Sequence, residues 1–153
     1  EFLIVKAKVR DVLALRYETP FFFEHGSVSL EKRGGNCIDH AHVHAVPCAD
    51  VSSKIVSELV AESVTNLCEI KVLFQQEIPY LYYEDRKGGI FLFKLHEPIP
   101  RQYVRRLIAT AALSKEWDWR TFPQWGRYLK TVEVLRGVFQ CLQLIHQIGL
   151  SRV

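Results

Sequence analysis

Residues 40–47 read His-Ala-His-Val-His-Ala-Val-Pro. A period of two belongs to a β-strand, in which alternate side chains share a face and stand roughly 6.6 Å apart. The pattern predicts a strand over residues 37–46, closed by Pro47. His40, His42 and His44 then line one face, and Ala41, Val43 and Ala45 turn toward a core. Alternation by itself is ordinary in a half-buried strand. Alternation that places half of the chain's six histidines among small apolar residues is not. Such a chain needs a sheet, with one face kept for whatever the imidazoles bind.

The flanking sequence supplies the other elements. The apolar run at residues 2–5 predicts a strand, and Val9, Val12 and Leu13 within residues 7–16 predict a short amphipathic helix. The abrupt change of pattern at Lys6-Ala7 marks a place where a segment could be missing. Pro20 stops any helix, and Phe21-Phe22-Phe23 opens a strand that ends over Glu24-His25-Gly26-Ser27. Residues 27–36 form a polar loop with Glu31, Lys32, Arg33, Gly34 and Gly35. Ser52 or Ser53 caps a helix to about residue 66, with Ile55, Val56, Leu59 and Val60 on one side. Aromatic-rich runs at 80–83 and 90–93 flank a charged, Gly-containing turn and predict a hairpin. Tyr103, Val104, Leu107, Ile108 and Ala111 fall at helical spacing. A last helix is expected over about 126–146, facing inward with Leu129, Val132, Leu135, Phe139, Leu142 and Ile145. The sum is an α+β fold in one domain spanning residues 1–153, of which 97–153 is a helical C-terminal elaboration.

Composition narrows the function classes. At 48% hydrophobic and 24% charged the chain can bury a core and is not disordered. A net charge of +3, with no long basic tract and no attached zinc finger, gives no footprint for nucleic acid. Apolar runs are short and interrupted by charge, and no signal peptide is visible, so no membrane partner and a cytoplasmic location are expected. Cys37, Cys48, Cys68 and Cys141 form no CxxC pair and read as reduced, mostly buried thiols.

Three chemistries suit three imidazoles on one face. An imidazole nitrogen is a nucleophile near neutral pH and can form a phosphorus–nitrogen bond while its neighbours donate to phosphate oxygens. Neutral imidazoles also ligate zinc, which makes a zinc-dependent hydrolase a second reading. A satisfied polar sheet edge is the third. Spacing alone leaves all three open. Elsewhere, His25 sits at a strand end near the histidine strand or is a turn residue. Arg105 and Arg106 read as a solvated helix face or as phosphate contacts. Trp117, Trp119 and Tyr82 read as packing or as platforms for a base, and His96 and His146 as structural or exposed.

The run from His40 to Pro47 resembles the signature of the histidine triad family of nucleotide hydrolases and transferases, His-apolar-His-apolar-His-apolar-apolar. Gly34-Gly35-Asn36-Cys37 resembles the phosphate-contacting segment before that signature. Phe22-Phe23-Glu24-His25-Gly26 resembles the strand and turn ahead of it. The tail resembles a longer-chain branch of the family, with Tyr-Leu-Tyr-Tyr-Glu-Asp and Trp-Asp-Trp-Arg runs. The resemblance implies a mainly antiparallel five-stranded sheet packed with helices, a homodimer, and cleavage of a nucleoside phosphoramidate or dinucleoside polyphosphate through a nucleotidyl-histidine intermediate. It implies that His42 is the nucleophile, that His40 supports it, and that His44 contacts phosphate and assists the leaving group. Glu24, His25, Gly34, Gly35, Asn36 and Cys37 are the implied substrate-binding residues. Adenine or other purine nucleotide conjugates are the implied ligands. No cofactor is required, although Mg²⁺ can accompany a polyphosphate. Glu24 and Cys37 depart from the family's usual Asn and Ser, and no upstream fourth histidine follows residues 2–5. These departures keep a nucleotide sensor with little turnover as the alternative.

Overall fold

A computed structural model describes residues 1–28, 41–48, 50–59, 62–63, 67–97 and 99–150, without the side chains of 62, 63, 139 and 141–150. Its elements run α1 (Phe2–Ala14), β1 (Phe21–Gly26), β2 (His44–Val46), α2 (Ser52–Glu58), β3 (Glu62–Ser63), α3 (Cys68–Gln75), β4 (Tyr80–Glu84), β5 (Ile90–Lys94), α4 (Tyr103–Ala111) and α5 (Trp125–Leu150). The class is α+β, as expected. Every strand pairing is antiparallel, in the order β2-β1-β4-β5 with β3 along the outer side of β5. Four strands have three residues or more, and β3 is a two-residue pairing. Of the expected five-stranded sheet, the described residues thus form four antiparallel strands plus this short pairing.

Residue parity sorts the sheet into two faces. Phe21 and Phe23 point with Leu81, Tyr83 and Phe93 into a core closed by Ile55 of α2 and by Tyr103 and Val104 of α4. Phe22 points the other way, with Tyr80, Tyr82 and Leu92, against Leu73 of α3 and Val9 of α1. All six β1 residues are buried because helices cover both faces of this central strand. Each fully buried phenylalanine contributes about 1.5–3 kcal/mol. Gly26 ends β1 where a Cβ would lie 2.2 Å from atoms of the Tyr80 ring, so only glycine lets that ring pass.

The second face also holds a buried charge cluster. The Glu84 carboxylate accepts hydrogen bonds from Lys6 and Arg10 of α1 and, at 2.5 Å, from the Tyr82 hydroxyl. Burial opposes ionisation of Glu84, but Lys6, Tyr82 and Arg10 outweigh it and hold the carboxyl below its ordinary range. The hairpin forms as predicted. Asp85 Oδ1 accepts the Lys87 and Gly89 N–H groups at 2.8 and 2.7 Å, and Gly88 supplies the left-handed residue at φ 88°.

Several expectations are corrected. Residues 2–5 are helical, not a strand, and α1 runs unbroken through Lys6-Ala7. A short apolar run carries no period of its own. Here Lys6 and Arg10, one turn apart, both reach Glu84, and that shared anchor extends the helix around them. The strand expected over 37–46 is present only from His44 among its described residues. The helix after Ser52 ends at Glu58 because Leu59 turns extended, and neither serine is its N-cap. Asp50 takes that work, accepting the Ser52 N–H at 2.7 Å. Cys68 is exposed, while Cys48 is half-buried. Leu129, expected on the inner face of α5, is 64% exposed, and Val138 is buried instead.

Candidate functional site

The site grows from two adjacent strands. Phe23 pairs with His44 in the β1–β2 ladder, and their rings stack at 4.6 Å between centroids. Two residues along β1, on the same face, His25 sets its ring edge-on to Phe23 at 5.5 Å. His42 lies just before β2 and meets His44 edge-on at 4.8 Å. That is closer than ideal strand spacing, because residues 41–43 have left the extended ladder. Three imidazoles and one phenyl ring thus share one patch of the first face.

Helix α4 and the segment after it cover this patch across a cavity of about 380 Å³. Gln102, Arg105, Ala109 and Ala112 line it from the α4 side, and Glu116, Trp117, Trp119 and Arg127 complete the wall. The positions 102, 105, 109 and 112 form one helical stripe. Its two alanines leave room, and its arginine supplies charge. This volume falls within the range of small-molecule sites.

The electrostatics favour neutral rings at His25 and His44 beside a cation. His25 is 5% exposed, and its Nε2 has no hydrogen-bond partner among the described residues. Burial, then the neighbouring His44 and His42, lower its pKa to about 4. His44 is exposed on its cavity side but partly desolvated by the surrounding protein. That desolvation, then His42 and Arg105, lowers its pKa as well. Burial lowers the Arg105 pKa, opposed by Asp118, yet an arginine stays charged at neutral pH.

The structure separates residues that the sequence grouped. His25, His42 and His44 come together around the cavity. Glu24, expected to face substrate, is turned to the opposite face. Its carboxylate accepts the His42 backbone N–H at 3.1 Å and the Tyr80 hydroxyl at 3.3 Å. Neighbours on a strand point oppositely, so His25 in the cavity puts Glu24 behind it. Burial raises the Glu24 pKa, against the pull of the His42 N–H and Tyr80. His40, Gly34, Gly35, Asn36 and Cys37 lie outside the described residues, as do Lys32 and Arg33. Tyr82 is buried in the second core and bonded to Glu84, so it is no platform for a base. Among the described residues no three His, Cys, Asp or Glu side chains are placed to hold a metal ion. Also among them, no helix is long and apolar enough to cross a membrane. Gln102, Glu116 and Arg127 were not anticipated, and the small-residue stripe beside Arg105 is the signal that could have found Gln102. Comparison with protein-family models, curated proteins and solved structures finds no match to the chain.

Proposed function

We propose that this protein is a histidine-triad-like nucleotide hydrolase or nucleotidyltransferase that works through a covalent adduct on His42. The supporting observation is the convergence of His25, His42 and His44 with Arg105 on one cavity, where a buried ring nitrogen of His25 has no partner among the described residues. A nitrogen lone pair of His42 forms a bond to the α-phosphorus. The bond from phosphorus to the leaving nitrogen or oxygen breaks, and the leaving group keeps that electron pair and takes up a proton from solvent. Water, or another acceptor, then attacks the same phosphorus and gives up its proton to solvent, the phosphorus–nitrogen bond breaks, and His42 recovers its pair. Arg105 offsets charge on the phosphoryl oxygens. His25 and His44, uncharged at neutral pH, act as hydrogen-bonding groups and not as cationic acids. Glu24, through the His42 N–H, positions the nucleophile from the far side of the sheet.

The test is direct. Incubate the protein with an adenosine phosphoramidate labelled on phosphorus, quench in base, and map any acid-labile label by mass spectrometry. The expected result is an adduct on His42 that His42→Ala abolishes and a chelator leaves unchanged. Product formation without an adduct, lost on chelation in a protein carrying stoichiometric zinc, would overturn the covalent reading in favour of a metal hydrolase.

A further inference from the structure

The wall opposite the histidines holds an arrangement that their chemistry does not use. The Arg106 guanidinium lies 3.9 Å from the centre of the Trp117 ring, and Arg106 Nε is buried with no acceptor among the described residues. A guanidinium stacked on one face of an indole fixes the plane of that ring. Trp117 itself lines the cavity, as does the next residue along α4 from Arg106, Arg105. Two consecutive arginines thus divide the work: Arg106 orients an aromatic ring, and Arg105 faces the space between that ring and the imidazoles. Glu116, on the same wall, does not leave a bare negative charge there. Gln124 Nε2 donates to it at 2.6 Å, and Arg127 stands 3.9 Å away.

We propose that Trp117 seats the base of a purine nucleoside monophosphoryl group whose phosphoryl oxygens meet Arg105 and whose phosphorus lies over His42. The proposal rests on the reading of the site as a nucleotide-processing centre and names the part of the substrate that the C-terminal helical segment recognises. An oriented indole, a cation and an apolar alanine floor within one cavity of about 380 Å³ match the base, phosphate and sugar of one nucleotide unit. A purine has the larger π-surface and gains more from stacking than a pyrimidine. Recognition by stacking reads the base's size and leaves its hydrogen-bonding edge unread, so adenine and guanine bind alike.

The proposal is tested by titration calorimetry with the reaction product AMP, which separates binding from turnover. Trp117→Leu is expected to weaken AMP about tenfold, as loss of one base–aromatic stack does. Trp117→Phe is expected to stay within about threefold of the parent, because a phenyl ring still stacks and still takes Arg106. Ribose 5-phosphate, which has no base, is expected to bind the parent and Trp117→Leu equally. Arg105→Gln is expected to weaken AMP and ribose 5-phosphate together. AMP affinity untouched by Trp117→Leu, or an equal loss for ribose 5-phosphate, overturns the base seat, as does a parent protein that does not bind AMP. An AMP affinity that follows Trp117, with no adduct on His42, sinks the covalent mechanism and leaves the seat standing. An adduct with Trp117-independent affinity does the reverse.

Discussion

The two faces of the sheet treat their buried polar groups in opposite ways. On the α1/α3 face, Glu84 is closed off by Lys6, Arg10 and Tyr82, and Glu24 by Tyr80 and the His42 N–H. On the α2/α4 face, His25 is as buried as those carboxylates, but its Nε2, beside a cavity, meets no partner among the described residues. A buried polar atom without a partner costs free energy that folding does not recover. The first face pairs its buried polar groups within the protein, whereas the second leaves one beside a cavity, which is the contrast on which the proposed site rests. Glu24 joins the two, since its carboxylate sits on the first face and accepts a hydrogen bond from the backbone of His42, the proposed nucleophile.

That contrast is broken most forcefully at its extremes. His42→Ala is expected to lower turnover by about four orders of magnitude, as removal of a nucleophile does, while urea denaturation shifts by less than about 1 kcal/mol. Comparable losses in both measurements would make His42 a structural residue. Glu84→Ala is expected to do the opposite, destabilising by about 3 kcal/mol because it strands Lys6 and Arg10, with kcat per folded molecule unchanged. Glu24→Gln lies between. An amide cannot accept from both donors as the carboxylate does, so a loss of about 1 kcal/mol is expected, together with a fall in kcat larger than any rise in KM. A uniform change in KM alone would detach Glu24 from His42.

The effect of His25 is small at neutral pH and grows only in acid. A histidine whose folded pKa lies near 4, below its ordinary 6.5, binds fewer protons folded than unfolded in that interval. Stability from this group is therefore full above pH about 6.5 and declines as pH falls toward 4, by up to about 1.4 kcal/mol per unit. Glu24, whose pKa is raised, works in the other sense near its own range, so the difference between parent and variant is the informative quantity. His25→Phe is expected to reduce the slope between pH 4 and 6.5 by the share His25 contributes and to leave the share of His44, whose pKa is also lowered to about 4. At pH 7 it is expected to leave stability equal or slightly higher while activity falls. An unchanged slope would mean that His25 is not buried neutral.

Where a local period exists, the sequence carries the structure. The β4–β5 hairpin and the apolar stripe of α4 follow from spacing, and alternate residues of β1 face opposite cores, as a strand requires. The same parity already separates Glu24 from His25, although the site prediction placed both on substrate. Residues 2–5 had no readable period, and what decides them is Glu84, which lies about eighty positions away. The shared face of His42 and His44 was legible from their i, i+2 spacing. The wall of Arg105, Trp117, Trp119 and Arg127 was not, because it depends on how α4 folds back over the strands. Local sequence sets which groups can act, and long-range packing sets what they act across.

The sharpest test follows the imidazoles themselves. Two-dimensional proton–carbon NMR of the histidine Cε1–H groups, recorded during titration with AMP, reports each ring separately. The expected result is saturable movement of His25, His42 and His44 with a common Kd, while the exposed His96 stays fixed. Signals of the three cavity histidines that do not move, or that move no more than His96, would contradict the assignment of this face to a phosphoryl ligand.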